Sequence, residues 1–188
     1  MTPTSSSSVL AVPALRSRAL AALSGALAVA LAAQVAVPLP GTPVPASLAP
    51  LAVVAVGGLL GARTGAASLV LYLLMGAAGL PVFAPVGLPG LARLLGPTGG
   101  YLLAYPVAAA LTGAVTARGA SWPRALLAPA LGILAVHAGG LAQLLLFTGS
   151  AAQAAAMGSL PFVVADAVKA GAAALVLRRF AASTRALR

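Results

Sequence analysis

The sequence contains no cysteine, a single acidic residue and a single histidine. Without cysteine the chain cannot form disulfides, use a thiolate nucleophile or hold a metal through sulfur. One histidine and one carboxylate are too few for a multi-ligand metal site, and they leave little for a Ser-His-Asp arrangement. We therefore expect a protein that is not an enzyme, with no catalytic residue, metal or cofactor.

Charge is equally scarce. Charged residues make up 6% of the 188 residues, whereas about 25% is usual in soluble domains. Hydrophobic residues make up 61%, and a soluble globule could not solvate itself with so few charges. Polar alternation within the apolar runs, the sign of a membrane β-barrel, is missing. The composition predicts an all-α integral membrane protein embedded in a lipid bilayer.

Six apolar runs approach the length of about 20 residues that a membrane-crossing helix needs. The second and third are short, so we expect local bilayer thinning or a shared break at residues 61–64. Residues 1–18 are predicted to be a flexible tail, residues 19–180 a transmembrane domain and residues 181–188 a basic tail. The predicted spans are Ala19–Val35, Ala46–Gly61, Thr64–Gly79, Gly99–Ala117, Arg124–Phe147 and Leu160–Val176.

Basic residues predict the orientation, because cytoplasmic loops concentrate Lys and Arg. Six spans place both termini on one side, which we therefore take as cytoplasmic. The net charge of +10 is mostly this topological signal, so no nucleic-acid binding follows from it. A cleaved secretory signal over the first apolar run is the alternative for that segment. Nine of the eleven basic residues lie on the predicted cytoplasmic side: Arg16, Arg18, Arg63, Arg118, Arg124, Arg178, Arg179, Arg185 and Arg188.

Asp166 and Lys169 are three residues apart in the last predicted span and so share one helical face. Ionisable groups within the membrane are costly unless paired or wetted, and they mark functional sites. Arg93 is the only charge in the predicted outer loops. If it folds back toward the pair, the cluster carries a charge of +1 and suits an organic anion. The alternatives are a structural ion pair and, for Arg93, a headgroup anchor.

Other residues are weaker candidates for a site. Gly99 and Gly100 leave a helix entrance open to close approach by a backbone or a ligand. Tyr101 is either an interfacial aromatic or a wall against a ligand ring. Gln143 could bond a ligand or another helix, and His137 is expected to be a hydrogen-bonded packing residue. A stripe of small residues that would let another helix approach closely is formed by Ala22, Ala26 and Ala30.

Several sequence blocks follow one another in a distinctive order. They are Val37-Pro38-Leu39-Pro40, Leu60-Gly61-Ala62-Arg63-Thr64-Gly65, Leu71-Tyr72-Leu73-Leu74, Gly79-Leu80-Pro81-Val82-Phe83, Gly96-Pro97-Thr98-Gly99-Gly100-Tyr101-Leu102 and Leu160-Pro161-Phe162 with Asp166 and Lys169. These blocks resemble BioY, the family of biotin-binding S components of energy-coupling-factor (ECF) vitamin transporters. The resemblance covers most of the chain, from about Val37 to Arg179. In Ser47-Leu48-Ala49 the chain departs from the Thr-Leu-Gln that family members often carry.

The resemblance implies a six-helix S-component fold, in a bacterial plasma membrane, that captures biotin from outside the cell. It implies that Asp166 meets the polar ring of biotin and that Lys169 or Arg93 meets the tail carboxylate. The alanine stripe resembles the surface that docks on a transmembrane coupling subunit. ATPase subunits would supply energy, because the chain lacks a phosphate-binding P-loop. From the residues and the resemblance together, we expect the ligand contacts to be Asp166, Lys169, Arg93, Tyr101, Gly99, Gly100, Phe83, Ser47 and Gln143.

Overall fold

The computed structural model describes residues 11–180, most of them helical. Strands β1 (Ala36–Val37) and β2 (Ala46–Ser47) pair antiparallel, and a 3-10 turn, Leu160–Phe162, precedes the last helix. Within the described range, five helical stretches are long and apolar enough to cross a membrane. The helices are α1 (Ala11–Gln34), α2 (Ala49–Ala77), α3 (Gly90–Leu95), α4 (Gly99–Leu103), α5 (Tyr105–Ala117), α6 (Trp122–Thr148), α7 (Ala151–Gly158) and α8 (Val163–Phe180).

Helix α2 reverses direction at Gly61, where φ is 83° and ψ is 171°. A Cβ atom on Gly65 would lie 2.8 Å from the Cα atom of Gly57. Eight residues along a straight helix would separate these positions by about 12 Å. Residues 49–60 and 62–77 therefore form a hairpin of two short helices. Because φ is positive, glycine is the residue that fits the turn.

Both ends of α2 lie beside the same end of α1, which confirms the reversal. The backbone N–H of Leu48 donates to the Val35 carbonyl at 3.1 Å. The Gln34 side chain donates to the Phe83 carbonyl at 3.2 Å. With α2 counted as two passes, residues 11–180 contain six passes, as predicted, and the expected break at residues 61–64 is confirmed.

Close contacts through glycine bring α2, α5 and α6 together. A Cβ on Gly57 would lie 2.3 Å from the Ala109 carbonyl oxygen, and one on Gly113 would lie 2.3 Å from the Ala62 nitrogen. A Cβ on Gly132 would come within 2.4 Å of the Thr112 hydroxyl. These helices therefore touch backbone to backbone, which fixes the positions of the side chains above them.

Helix α1 packs its small residues inward, and this corrects one prediction. Ala26 is 0% exposed and Ala30 is 8% exposed, while a Cβ on Gly25 would lie 2.5 Å from the Ser68 hydroxyl. Ala26 and Ala30 therefore pack inside the protein and do not form a docking face, whereas Ala22 is half-buried. The large apolar side chains that α1 exposes include Leu20, Leu23, Leu27 and Leu31.

The predicted tails fall largely outside the described residues. Helix α1 begins at Ala11, within the segment predicted as an N-terminal tail. Residues 1–10 and the C-terminal segment 181–188 lie outside the described range, together with Arg185 and Arg188.

Candidate functional site

A cavity of about 70 Å³ lies at the end of the bundle opposite the Gly61 turn. Such a volume exceeds the roughly 10–15 Å³ that one water molecule requires. Residues 38–45, which connect β1 to β2, cover the cavity through Val44 and Pro45. The Thr42 hydroxyl donates to the Met157 carbonyl at 2.7 Å, and this bond attaches the segment to α7. The polar side chains that line the cavity are Ser47, Arg93, Thr98, His137, Asp166 and Lys169.

The Asp166 carboxylate binds two partners at the wall of this cavity. Lys169, one helical turn further along α8, places Nζ 2.7 Å from Oδ1. His137, in α6, places Nε2 2.8 Å from Oδ2. Asp166 is 7% exposed and Lys169 is 9% exposed, yet both line the cavity. The predicted pair is thus intact, buried from the surface and open to an internal space.

His137 bridges Asp166 to the segment before α8. The Ser159 hydroxyl lies 2.8 Å from Nδ1 of His137. A neutral ring that carries its proton on Nε2 satisfies both contacts, because it donates to Asp166 and accepts from Ser159. His137 is hydrogen-bonded, as predicted. It nevertheless belongs to the site, which the sequence analysis did not anticipate.

Ser159, His137 and Asp166 share the connectivity of a hydrolase triad, although the sequence offered only one histidine and one acid in different spans. Folding brings those two residues into contact, with His137 Nε2 2.8 Å from Asp166 Oδ2. Ser159, however, does not line the cavity. A nucleophilic hydroxyl must face its substrate, so the arrangement positions the carboxylate and provides no nucleophile.

Arg93 folds inward and is 6% exposed, which excludes the headgroup-anchor alternative. Its Nε donates to the Leu88 carbonyl at 2.6 Å and its Nη2 to the Ala84 carbonyl at 2.8 Å. Burial lowers the pKa of Arg93, while the nearby hydroxyls of Tyr72 and Tyr105 raise it. The guanidinium therefore holds residues 84–88, which precede α3, against the cavity, and its remaining N–H groups are available.

Aromatic side chains make up much of the remaining wall. Tyr72 stacks on Tyr105, with ring centroids 6.1 Å apart, and Phe83 meets Tyr72 edge-on at 5.4 Å. Tyr101 lines the cavity and donates its hydroxyl to the Gly158 carbonyl at 2.8 Å. Phe83 does not line the cavity, and its role is corrected from ligand wall to support for the Tyr72 ring.

Gly99, Gly100 and Gln143 lie away from the cavity, so their prediction as ligand contacts is corrected. A Cβ on Gly99 would lie 1.9 Å from the Leu94 carbonyl oxygen, and one on Gly100 would lie 2.1 Å from that of Gly139. Both glycines serve close backbone packing. Gln143 donates to the carbonyls of Leu94 and Gly96, so it bonds protein backbone.

Several residues of the wall were missed by the sequence analysis. Tyr72 and Tyr105 come from different helices, and no spacing rule relates them. Tyr72 was visible only as part of a block resembling the family. Among the described residues, no three His, Cys, Asp or Glu side chains come together as a metal site.

Summed charges give the cavity its chemistry. Lys169 and Arg93 are cationic and Asp166 is anionic, so with neutral His137 the wall carries a charge of +1. A monovalent organic anion neutralises this charge, and the aromatic wall accommodates an apolar body. A polar head of the ligand can bond the carboxylate.

Comparison with known proteins identifies the family. The model of the BioY family matches residues 4–186. The chain belongs to the BioY family. A protein of Pyrococcus horikoshii named probable biotin transporter BioY is 37% identical over 142 residues, which are 76% of this chain and 83% of that protein. The biotin transporter BioY of Rhizobium etli is 34% identical over 172 residues, 87% of this chain and 91% of its own.

A solved structure shows the same fold as this BioY-family chain. It is the crystal structure of the S-component for biotin from an ECF-type ABC transporter. The two superpose with a TM-score of 0.76 and 23% sequence identity, over 96% of this chain and 100% of the other. The predicted S-component fold is thereby confirmed.

Proposed function

We propose that this protein captures biotin as the substrate-binding membrane subunit of an ECF-type uptake system. The observation that carries the proposal is the Asp166–Lys169 pair, which lines a cavity. Among the residues that the structure describes, every other charged side chain except Arg93 is exposed. Relatives named biotin transporters support the identity of the ligand. The role is binding and transfer across the membrane, without a chemical step.

Biotin matches the cavity in chemistry. Its ureido ring offers N–H donors, and each carboxylate oxygen of Asp166 accepts more than one hydrogen bond, so Asp166 can bond the ring beside Lys169 and His137. The valerate carboxylate needs a cation, which Lys169 or Arg93 supplies. The fused rings and the alkyl chain need an apolar wall, which the tyrosines and Phe162 provide.

We also propose that the cavity opens toward the cell exterior and that both termini are cytoplasmic, in a bacterial plasma membrane. The Arg178 side chain, near the C-terminal end of α8, donates to the Ala120 carbonyl at 3.0 Å. The C-terminal part of α5 contacts the Gly61 turn through Gly113. The loops rich in arginine therefore gather at the end of the bundle opposite the cavity. By the positive-inside rule this end is cytoplasmic. A coupling subunit and ATPase subunits would then provide the energy for transport.

A second candidate is an S component for another small organic anion, since the charge of the cavity suits any monovalent carboxylate. A purely structural role for the ion pair is less favoured, because a structural pair has no need of an adjoining void. Both alternatives predict that biotin does not bind selectively.

Thermal unfolding of the purified protein in detergent tests the proposal. A ligand that binds the folded state raises the melting temperature, by about 2.7 kcal/mol of stabilisation at a hundredfold excess over Kd. We expect a shift with biotin and none with uncharged or dianionic vitamins at the same concentration. A shift with a different monocarboxylate and none with biotin would support the second candidate, and no shift at all would support the structural role.

A further inference from the structure

The Tyr72 hydroxyl has no hydrogen-bond partner, although its side chain is 1% exposed. Among the side chains that the structure describes, it is the one buried polar atom left in this state. Buried polar groups are almost always bonded, so each exception calls for an explanation. Tyr72 also lines the cavity, where a ligand would become its partner.

The Tyr72 ring cannot turn elsewhere to find a partner. It stacks on Tyr105 and meets the edge of Phe83. Phe83 is itself fixed, because its ring fills the space in which a Cβ on Gly76 would stand, with Cζ 2.1 Å from that position. The hydroxyl is therefore held in place at the cavity by the packing behind it.

A charged hydrogen-bond donor lines the same cavity as this hydroxyl. Arg93 interacts electrostatically with Tyr72 and lines the same cavity. Its Nε and Nη2 donate to loop carbonyls, which leaves other N–H groups unassigned among its five. The single acid of the chain, Asp166, is occupied by Lys169 and His137. This part of the wall thus offers donors and a positive charge, and it lacks an anionic acceptor.

We infer that Tyr72 and Arg93 together receive the carboxylate of the ligand, with the Tyr72 hydroxyl donating to one carboxylate oxygen. The inference rests on the proposed function and deepens it. It assigns the tail of biotin to Arg93 and leaves Lys169 to hold Asp166 for the ureido ring. It also makes Tyr72 a residue through which the protein binds biotin, a free acid, more tightly than the neutral amide of biotin.

Binding of biotin and of biotin carboxamide to Tyr72→Phe tests the inference by isothermal titration calorimetry in detergent. A hydrogen bond to a charged group corresponds to about a tenfold to hundredfold change in affinity. We expect the variant to bind the acid weaker by that factor and the amide weaker by less than about fivefold. Unchanged affinity for the acid, or an equal loss for both ligands, would overturn the inference.

Stability without ligand separates this role from a structural one. Because the hydroxyl has no partner in the free protein, Tyr72→Phe should melt at the wild-type temperature or above it, while its biotin-induced shift is smaller. A lower melting temperature of the free variant would show that the hydroxyl is needed for packing, and would overturn the inference.

Thr148→Val is the matched control, since its hydroxyl donates to the Leu144 carbonyl within α6 and lies outside the cavity. It should retain the affinity for both ligands, and a change of the acid-to-amide ratio in this control would count against the inference. If the wild-type protein binds no biotin, the proposed function fails with it. If the wild type binds biotin and Tyr72→Phe keeps the wild-type ratio of affinities for biotin and its amide, the proposed function stands and only the assignment of Tyr72 to the ligand carboxylate is wrong.

Discussion

His137 and Asp166 lie 29 positions apart on different helices, yet Nε2 of the histidine is 2.8 Å from Oδ2 of the carboxylate. Lys169 holds the other carboxylate oxygen. The carboxylate is thus fixed from two sides while it remains at the wall of the cavity. A carboxylate held in this way presents its unused lone pairs in a constant direction, which suits recognition of a ligand with two N–H donors.

Neutralising Lys169 should abolish biotin binding without unfolding the protein. Lys169→Met removes the cation and keeps the length of the side chain, while His137 still bonds Asp166. We expect affinity to fall at least a hundredfold in titration calorimetry, with an unchanged elution volume in size-exclusion chromatography. Lys169→Arg, which retains the charge, should lose less affinity than Lys169→Met. Equal losses in the two variants would mean that charge is not what matters at this position.

Removing His137 should weaken both the fold and the site. His137→Phe leaves one oxygen of a buried carboxylate without a partner, at a cost of about 1–3 kcal/mol. A lower melting temperature and weaker biotin binding should appear together. Ser159→Ala removes only the contact to Nδ1, and we expect a smaller effect, of about 0.5–1.5 kcal/mol. If Ser159→Ala were the more damaging of the two, the assignment of His137 as the support of Asp166 would be wrong.

Arg93 should be irreplaceable by lysine. A lysine keeps the charge, but it cannot bond the Leu88 and Ala84 carbonyls as the two arms of a guanidinium do. We expect faster proteolysis within residues 84–88 in Arg93→Lys, and weaker binding of biotin. The measurement is limited digestion followed by mass spectrometry, with and without biotin. If Arg93→Lys were cleaved at the wild-type rate, the order of residues 84–88 would not depend on the two hydrogen bonds of the guanidinium.

Alanine substitutions at two glycines should distinguish the effect of close helix packing on the melting temperature from the effect of helix propensity. A Cβ on Gly57 would overlap the Ala109 backbone, so we expect Gly57→Ala to lower the melting temperature, with a cost of about 1–3 kcal/mol for overpacking. Gly171, in α8, has no atom within 4 Å of its Cβ position. As the control, Gly171→Ala should leave the melting temperature unchanged or raise it slightly, because alanine is the better helix former. Equal destabilisation by both would contradict the close packing of α2 on α5.

Sequence patterns predicted the parts of this molecule that depend on local chemistry. Apolar runs predicted the six passes, and the position of Asp166 and Lys169 within a predicted membrane span indicated the site. The pattern could not show which side of a helix faces inward when alanine is abundant on every side. For that reason the small residues of α1 were assigned to a docking surface, whereas Ala26 and Ala30 pack inside.

The spacing of residues along the sequence does not predict contacts between distant segments. Gln143 and the glycine pair at residues 99–100 looked suited to a ligand, because an amide and exposed backbone bind either a ligand or another helix equally well. Folding placed protein carbonyls beside them. Tyr72 went unnoticed for the opposite reason. A tyrosine in an apolar helix is unremarkable until the structure shows that its hydroxyl has no partner.

A structure of the protein with biotin bound would show whether biotin occupies the cavity beside Asp166. We expect the ureido ring to lie within hydrogen-bond distance of the Asp166 carboxylate, with the fused rings between the tyrosines. Biotin bound at another surface, or an Asp166–Lys169 pair that stays sealed from the bound ligand, would mean that this cavity is not the biotin site.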